Sequence, residues 1–393
     1  MQATLKPIAV QDFWRSRAAI AGLFFVNGMM FALWASRIPQ VQLRLALNDQ
    51  ALGIILLGIS AGVLTALPLA SGFIGRFSSR RVAMLTALLY PAMLLIVPFT
   101  QTAFALWIAL FGFGMVMSTM DVAMNAQGSG LERQSGRQIM SSFHGMWSIG
   151  FLSGGFLGSR MIAWDFSLLQ SILVGAVIAW IIVIPSLLAL IAVDGEQDQA
   201  NRSAPFSLPP RGIWMLGVVA FCSAVGEGAM ADWTGVYMRD IVQAPPAQWS
   251  YGLIAYSALM SIGRFLGDWV ASRLGAVNVV RAGGVLASAG LLLAIVLPTL
   301  VPVLIGFALV GIGVATVIPL AFSAAGNRPG VNPSQGIAGV ATLAYSAFLA
   351  GPPLLGFVAE AITLRGAFGL VLVLMLAMIA FAGALAPQQK TAA

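Results

Sequence analysis

Apolar stretches of about twenty residues recur from one end of this chain to the other, and their length restricts what it can form. A helix rises about 1.5 Å per residue, so about twenty residues cross the roughly 30 Å hydrocarbon layer of a bilayer. Inside lipid every backbone N–H and C=O needs a partner within the protein, which leaves helices and closed barrels as spanning structures. Barrel strands are about ten residues of alternating polarity. These stretches are about twice that long and apolar throughout. Composition agrees: 59% of the 393 residues are hydrophobic and 8% charged, against roughly a quarter charged in soluble domains. An all-α membrane protein is the expected fold class.

Twelve spans are predicted, at about 18–38, 50–73, 82–99, 103–127, 138–162 and 168–192, then 212–237, 249–270, 279–299, 302–325, 335–360 and 365–386. Turn-forming segments separate them, among them Gln134-Ser135-Gly136-Arg137 and Asn327 to Pro333. With both termini placed in the cytoplasm, fifteen of the twenty Lys and Arg residues fall on the inner side. The longest polar stretch, 193–211, contains Asp194, Glu196, Asp198, Arg202 and three prolines, and reads as a flexible linker. The expected organisation is a six-helix bundle over 1–192, a cytoplasmic linker over 193–211 and a second six-helix bundle over 212–393.

Other function classes find little support. The net charge of +7 comes from basic residues scattered singly or in pairs, so no nucleic-acid partner is expected. One cysteine, Cys222, excludes an intramolecular disulfide, and one histidine with one cysteine makes a transition-metal site improbable. There is no Gly-Lys-Ser/Thr phosphate loop and no nucleophile–base pair at workable spacing, so neither a cofactor nor an enzyme is expected. The first apolar stretch, from near Ala18, is of full spanning length and reads as a retained helix.

The two halves repeat in the same direction at an offset of about 199 residues. Asn27-Gly28 lines up with Glu227-Gly228, Leu52-Gly53-Ile54 with Tyr251-Gly252-Leu253, and Gly112-Phe113-Gly114 with Gly311-Ile312-Gly313. Parallel six-helix repeats with a site near the membrane midplane describe a secondary transporter. Ser71-Gly72-Phe73-Ile74-Gly75-Arg76-Phe77-Ser78-Ser79-Arg80-Arg81 resembles the G-x-x-x-D-x-x-G-R-[KR] loop of the major facilitator superfamily, with Gly75 at the Asp position and Ser78 at the second Gly. Gly263-Arg264-Phe265-Leu266-Gly267-Asp268 and Ala271-Ser272-Arg273-Leu274-Gly275 resemble its second-half counterpart. The resemblance implies a gating loop carried by Arg76, Arg80, Arg81, Arg264, Asp268 and Arg273. A narrower resemblance is to bacterial transporters related to the rhizopine-locus membrane protein, near the sugar and fucose permeases. It rests on Asp121-Val122-Ala123-Met124-Asn125-Ala126-Gln127, on Met140 to Ser148, on Ala35-Ser36-Arg37-Ile38-Pro39, and on Glu227-Gly228 and Asp232-Trp233.

Among thirteen acids, Glu227, Asp232 and Asp121 are the three read as lying inside hydrocarbon, away from the span ends. Intramembrane carboxylates are costly and by default mark proton relays or substrate paths. Glu227 and Asp232 are expected to carry protons, loading on one side of the membrane and unloading on the other. A structural ion pair is the alternative. Asp121 and His144 are expected at similar depth in the inner half, as a relay or gate, or else as a clamp between helices four and five. Asn27, Trp34, Arg37, Asn125, Gln127, Trp147, Trp233 and Tyr345 are the candidate cargo-lining residues. Aromatic rings there could stack on a sugar or a drug, whereas Trp14, Trp164 and Trp249 fit an interfacial belt. Arg37 reads either as an anion-holding group or as an arginine snorkelling to the headgroups. Gly150, Gly154, Gly155 and Gly158 resemble an antiporter signature but read as helix packing.

These readings combine into a proton-coupled carrier of a small polar, sugar- or polyol-like solute, acting as a monomer in a bacterial inner membrane. Its expected partners are the solute, protons and lipid. A multidrug or metabolite efflux antiporter and a non-transporting membrane sensor are the alternatives.

Overall fold

The structure, a computed structural model, describes residues 10–192 and 211–386. The expected linker, Arg211 excepted, lies outside the described residues, as do Lys6 and Lys390. All regular structure among the described residues is helical, in twelve helices. The first six are α1 (Val10–Arg44), α2 (Asp49–Phe77), α3 (Ser79–Leu94), α4 (Ala103–Ser135), α5 (Met140–Ala163) and α6 (Leu168–Leu187). The second six are α7 (Trp214–Asp240), α8 (Tyr251–Leu274), α9 (Ala276–Val296), α10 (Leu300–Gly326, interrupted at Ala315 and Thr316), α11 (Pro333–Ala361) and α12 (Leu364–Phe381).

Short polar side chains set several helix ends. Thr102 accepts from the Ala105 N–H at 3.1 Å, and Ser167 with Gln170 forms a reciprocal capping box on α6. Gly136, at φ 67°, closes α4 in the left-handed conformation where the turn was predicted. Ten of the helices are long and apolar enough to cross a membrane. The remaining two, α5 and α8, have 24 residues each, about 36 Å of helix, and fall short only in apolar character. They carry polar side chains, His144 on α5 and Arg264 and Arg273 on α8.

The helices gather into two compact units. The first contains α1 as far as Arg37, α2 from Gly58 onward, and α3 to α6. The second contains Ile38–Leu57 together with α7 to α12. Thus α1 and α2 are each divided between units, at Arg37/Ile38 and at Leu57/Gly58.

Within the first unit, backbone meets backbone. Gly28 of α1 sits on the Trp147 carbonyl of α5, and Gly150 and Gly154 of α5 sit on the carbonyls of Phe25 and Met29. A Cβ at any of the three would collide with main chain. In lipid there is no hydrophobic drive between helices, so close packing through small residues holds them together. This is the work of the α5 glycine run, as its spacing suggested. In the second unit Gly283 and Gly313, and likewise Gly290 and Gly306, make the same kind of mutual contact between α9 and α10. There Tyr237, Phe307 and Phe368 cluster with ring centroids 4.6–5.7 Å apart.

The internal repeat is visible in local geometry. Gly114 rests on the Ile59 carbonyl in the first unit, and Gly311 rests on the Tyr256 carbonyl in the second. Between α2 and α3 stands Ser78 at φ 75°, ψ 151°; between α8 and α9 stands Gly275 at φ 76°, ψ 150°. All three pairs (59/256, 78/275 and 114/311) are 197 residues apart. The offset read from sequence, which set Gly112 opposite Gly311, is therefore two residues too long in this region.

That backbone conformation is almost exclusive to glycine, and a side chain there costs about 1–3 kcal/mol. Ser78→Gly is accordingly expected to stabilise the protein by about 1 kcal/mol, seen as a higher melting temperature in detergent. Gly275→Ser should do the reverse.

A polar node holds the Ile38–Leu57 corner within the second unit. Arg239, at the end of α7, donates to the Pro39 carbonyl at 3.0 Å and to Gln42 Oε1 at 2.8 Å, and pairs with Asp240 at 2.5 Å. Gln42 donates to Asp49 at 2.9 Å, and the Asp49 N–H donates to Glu360 of α11 at 3.2 Å. Beneath it Gly53 packs on the Pro352 carbonyl and on Gly356.

Candidate functional site

Each unit has its own polar face. In the first, Asn27 of α1 is buried and donates to the Met117 carbonyl of α4 at 3.4 Å. Its side-chain oxygen accepts from the Trp147 indole of α5 at 2.9 Å, and its main-chain carbonyl accepts from the Tyr90 hydroxyl of α3 at 3.2 Å. Four helices meet on this one residue. One turn along α4 from Met117 lies Asp121, exposed, with Asn125 donating to it at 3.3 Å. Tyr90 is within electrostatic reach of Asp121. One turn along α1 from Asn27, Phe24 takes the ring of His144 edge-on at 5.3 Å, and His144 is exposed. Since α1 and α4 run antiparallel, Asp121 and His144 share a level. Trp147 stacks on Phe151 with centroids 5.2 Å apart.

In the second unit Glu227 of α7 is the centre. Arg264 of α8 reaches it at 3.4 Å, with the Glu227 side chain 14% and the Arg264 side chain 32% exposed. Both are thus shielded but touch the solvent-accessible surface. Buried Tyr256 lies within electrostatic reach of both. Five residues on, half-buried Asp232 makes no hydrogen bond or ion pair among the described residues. Tyr345 of α11 is 36% exposed.

Several expectations need correction. Gln127 does not line a path: it is fully buried, donates to Ser79 Oγ at 2.7 Å and to the Ile191 carbonyl at 3.0 Å, and accepts from the Ile191 N–H at 2.9 Å. Both ends of its amide are occupied, so it clamps α4 to α3 and to the segment after α6. Gln127→Ala removes bonds to the Ile191 N–H, the Ile191 carbonyl and Ser79 Oγ, and should destabilise by about 1–3 kcal/mol, read as a lower melting temperature with substrate KM unchanged. Trp34 and Trp233 are core residues at 1% and 0% exposure, and neither indole N–H has a hydrogen-bond partner among the described residues. Arg37 neither snorkels nor lines a surface: it is fully buried and donates to Ser171 of α6. Trp249, placed in the interfacial belt, is buried and donates to the Ala244 carbonyl at 2.9 Å, whereas Trp14 and Trp164 are exposed as a belt requires.

The expected gating loops are mostly helix. Arg76 lies in the last turn of α2, Arg80 and Arg81 in the first turn of α3, and Arg273 in the last turn of α8. Arg264 is well inside α8 and belongs to Glu227 rather than to the loop. Asp268 lies in α8, its side chain outside the described residues.

Sequence reasoning missed Tyr90, Tyr256 and the Glu227–Arg264 pairing. The signals available were a tyrosine in each of two apolar spans, one of which also carries Arg264.

Comparison with known proteins bears on the whole chain. Residues 20–347 match the family profile described as Major Facilitator Superfamily. The membrane protein MosC of Rhizobium meliloti is 35% identical over 351 residues, 88% of this chain and 84% of MosC. An uncharacterized MFS-type transporter of Yersinia pestis is 32% identical over 385 residues, 98% of this chain and 99% of the other. Among solved structures, a mutant form of the nucleoside transporter NupG superimposes with a TM-score of 0.73 at 15% identity, covering 93% of this chain and 98% of that one. The human organic anion transporter MFSD10 gives 0.62 at 15% identity, covering 94% and 99%. At that identity these two report on the fold alone.

Proposed function

Because the chain belongs to the Major Facilitator Superfamily, a family of secondary transporters and not of enzymes, we propose that it couples proton movement to the transport of a small polar organic solute across a bacterial inner membrane. The observation that carries this reading is the Glu227–Arg264 pair. A carboxylate and a guanidinium facing each other at 3.4 Å between two membrane helices form a charge-balanced site with two states. With Glu227 ionised, Arg264 satisfies it. With Glu227 protonated, the pair loosens and Arg264 carries an unbalanced charge. A site that can exchange one charge state for another while shielded from bulk water can link a proton to a conformational step. Asp232, on the same helix and paired with no cation among the described residues, is a second proton acceptor about one and a half turns away.

The first unit supplies the cargo face: Asp121, Asn125, His144 and the stacked Trp147 and Phe151. The protein acts as a monomer with both termini in the cytoplasm, in keeping with the bias of Lys and Arg.

The test is flux in proteoliposomes loaded at one pH and diluted into another, with a panel of polyols, sugars, amines and drugs. A transported solute should accumulate or be expelled with the sign of the pH gradient, and proton movement should follow solute addition. Flux of equal size with and without the gradient would remove proton coupling. Tight binding without flux would make the protein a sensor.

A further inference from the structure

We propose that Asp121 is the counter-ion for an ammonium group on the cargo, so that the transported solute is a small organic cation. This rests on the transport reading given above and names the class of molecule it applies to.

Donors and acceptors on the first unit's polar face are unevenly matched. A carboxylate in a membrane helix needs compensation, because an isolated charge out of water is very costly. Glu227 receives it internally, from Arg264 at 3.4 Å. Asp121 does not: among the described residues its side chain bonds only the Asn125 amide, at 3.3 Å, and pairs with no cation. That amide is also spent on the Asp121 carbonyl, at 2.8 Å. Water reaches this exposed carboxylate, and a bound cation would replace that water with a full opposite charge.

The neighbouring groups select what can bring it. Asn27 has both ends of its amide occupied, by Met117 and Trp147. The Tyr90 hydroxyl donates to the Asn27 carbonyl, and Gln127 is a buried clamp. The Trp147 indole N–H is committed to Asn27, so this residue offers its ring and not its donor. His144 contributes an exposed imidazole, the amide, hydroxyl and indole donors named above are committed within the protein, and the Asp121 oxygens are the exposed acceptors of this face. A neutral polyol, which needs donors as well as acceptors, is poorly served. An ammonium, which only donates, is well served, and an aromatic face one helix turn away adds a favourable surface for a cation.

The experiment compares cationic solutes with neutral twins of the same skeleton on the full-length protein in detergent: N-methylglucamine against sorbitol, and glucosamine against glucose. The readout is the melting temperature. The expected result is that at least one cationic member raises it by several degrees while its neutral twin does not. Asp121→Asn should erase that difference, and Asp121→Glu should retain it. Neutral twins that stabilise as well as the cations would overturn the proposal, as would a panel in which no cation stabilises, or an Asp121→Asn protein that keeps the wild-type preference. The wild-type comparison decides by itself should Asp121→Asn fail to fold. Counterflow of the bound cation in proteoliposomes separates the two readings. Binding without counterflow sinks the transporter and leaves the counter-ion in place; counterflow of the neutral twin alone does the opposite.

Discussion

Glu227→Gln is expected to abolish concentrative transport while leaving downhill exchange of the solute in place. Glutamine keeps the size and hydrogen-bonding capacity of a protonated glutamate but cannot release a proton. One coupled proton under a gradient of about one pH unit sustains roughly a tenfold accumulation, since about 1.4 kcal/mol is a factor of ten. The variant should reduce that ratio to about one, measured as the steady-state solute ratio across proteoliposomes. Counterflow at equal pH needs no net proton movement and should continue. The variant also leaves Arg264 without its anion, at 32% exposure, so some loss of melting temperature is expected. A second substitution of Arg264 by Gln should restore the melting temperature without restoring accumulation. Accumulation at the wild-type level in Glu227→Gln would take Glu227 out of the coupling role.

Gly154→Val is expected to cost the most in stability. Its Cβ would drive into the Met29 carbonyl on α1, which is main chain and cannot rotate away. Overpacking of this kind costs about 1–3 kcal/mol and more where no side chain can yield. Gly150 on Phe25 and Gly28 on Trp147 flank the same seam, so α1 and α5 would have to separate along it. Fluorescence-detected size exclusion should show loss of the monodisperse peak. Gly72→Ala is the control, because nothing lies within 4 Å of a Cβ built there. It should be neutral, or stabilising by up to about 1 kcal/mol, since alanine favours helix over glycine.

Much of the architecture was legible in the sequence, because hydrocarbon thickness imposes a length on every span and charges cannot be left inside it. Helices longer than their apolar parts were not. The first span was read as about 18–38, whereas α1 runs Val10–Arg44, because helical hydrogen bonding continues through Trp14, Arg15 and Arg17 and past Pro39 where hydropathy falls. Similarly α4 continues to Ser135, well beyond its predicted end near Gln127. Repeat equivalences read from single residues drifted, since only contacts such as Gly114 on Ile59 and Gly311 on Tyr256 fix the register.

In the candidate site, the acids were found because each stands out against an apolar background. Their partners were not. Arg264 is 37 residues from Glu227, and the loop resemblance that assigned it to a gate obscured its place inside the span. Gln127 and Trp34 show the reverse failure. A polar or amphipathic side chain in a span reads as functional by default, yet buried helix junctions need the same residues, and only contacts tell the two apart.

The division of α1 and α2 between the two units has a mechanical consequence. Each of the two helices has a weak point where the division falls. On α1 the crossing point adjoins Pro39, which has no amide hydrogen and so leaves a gap in the ladder of helical bonds. On α2 it adjoins Gly58, which lacks a side chain to resist bending. Each crossing point is thus a place where its helix bends more easily than along its packed length, so helical continuity there depends on neighbouring side chains more than on the ladder itself.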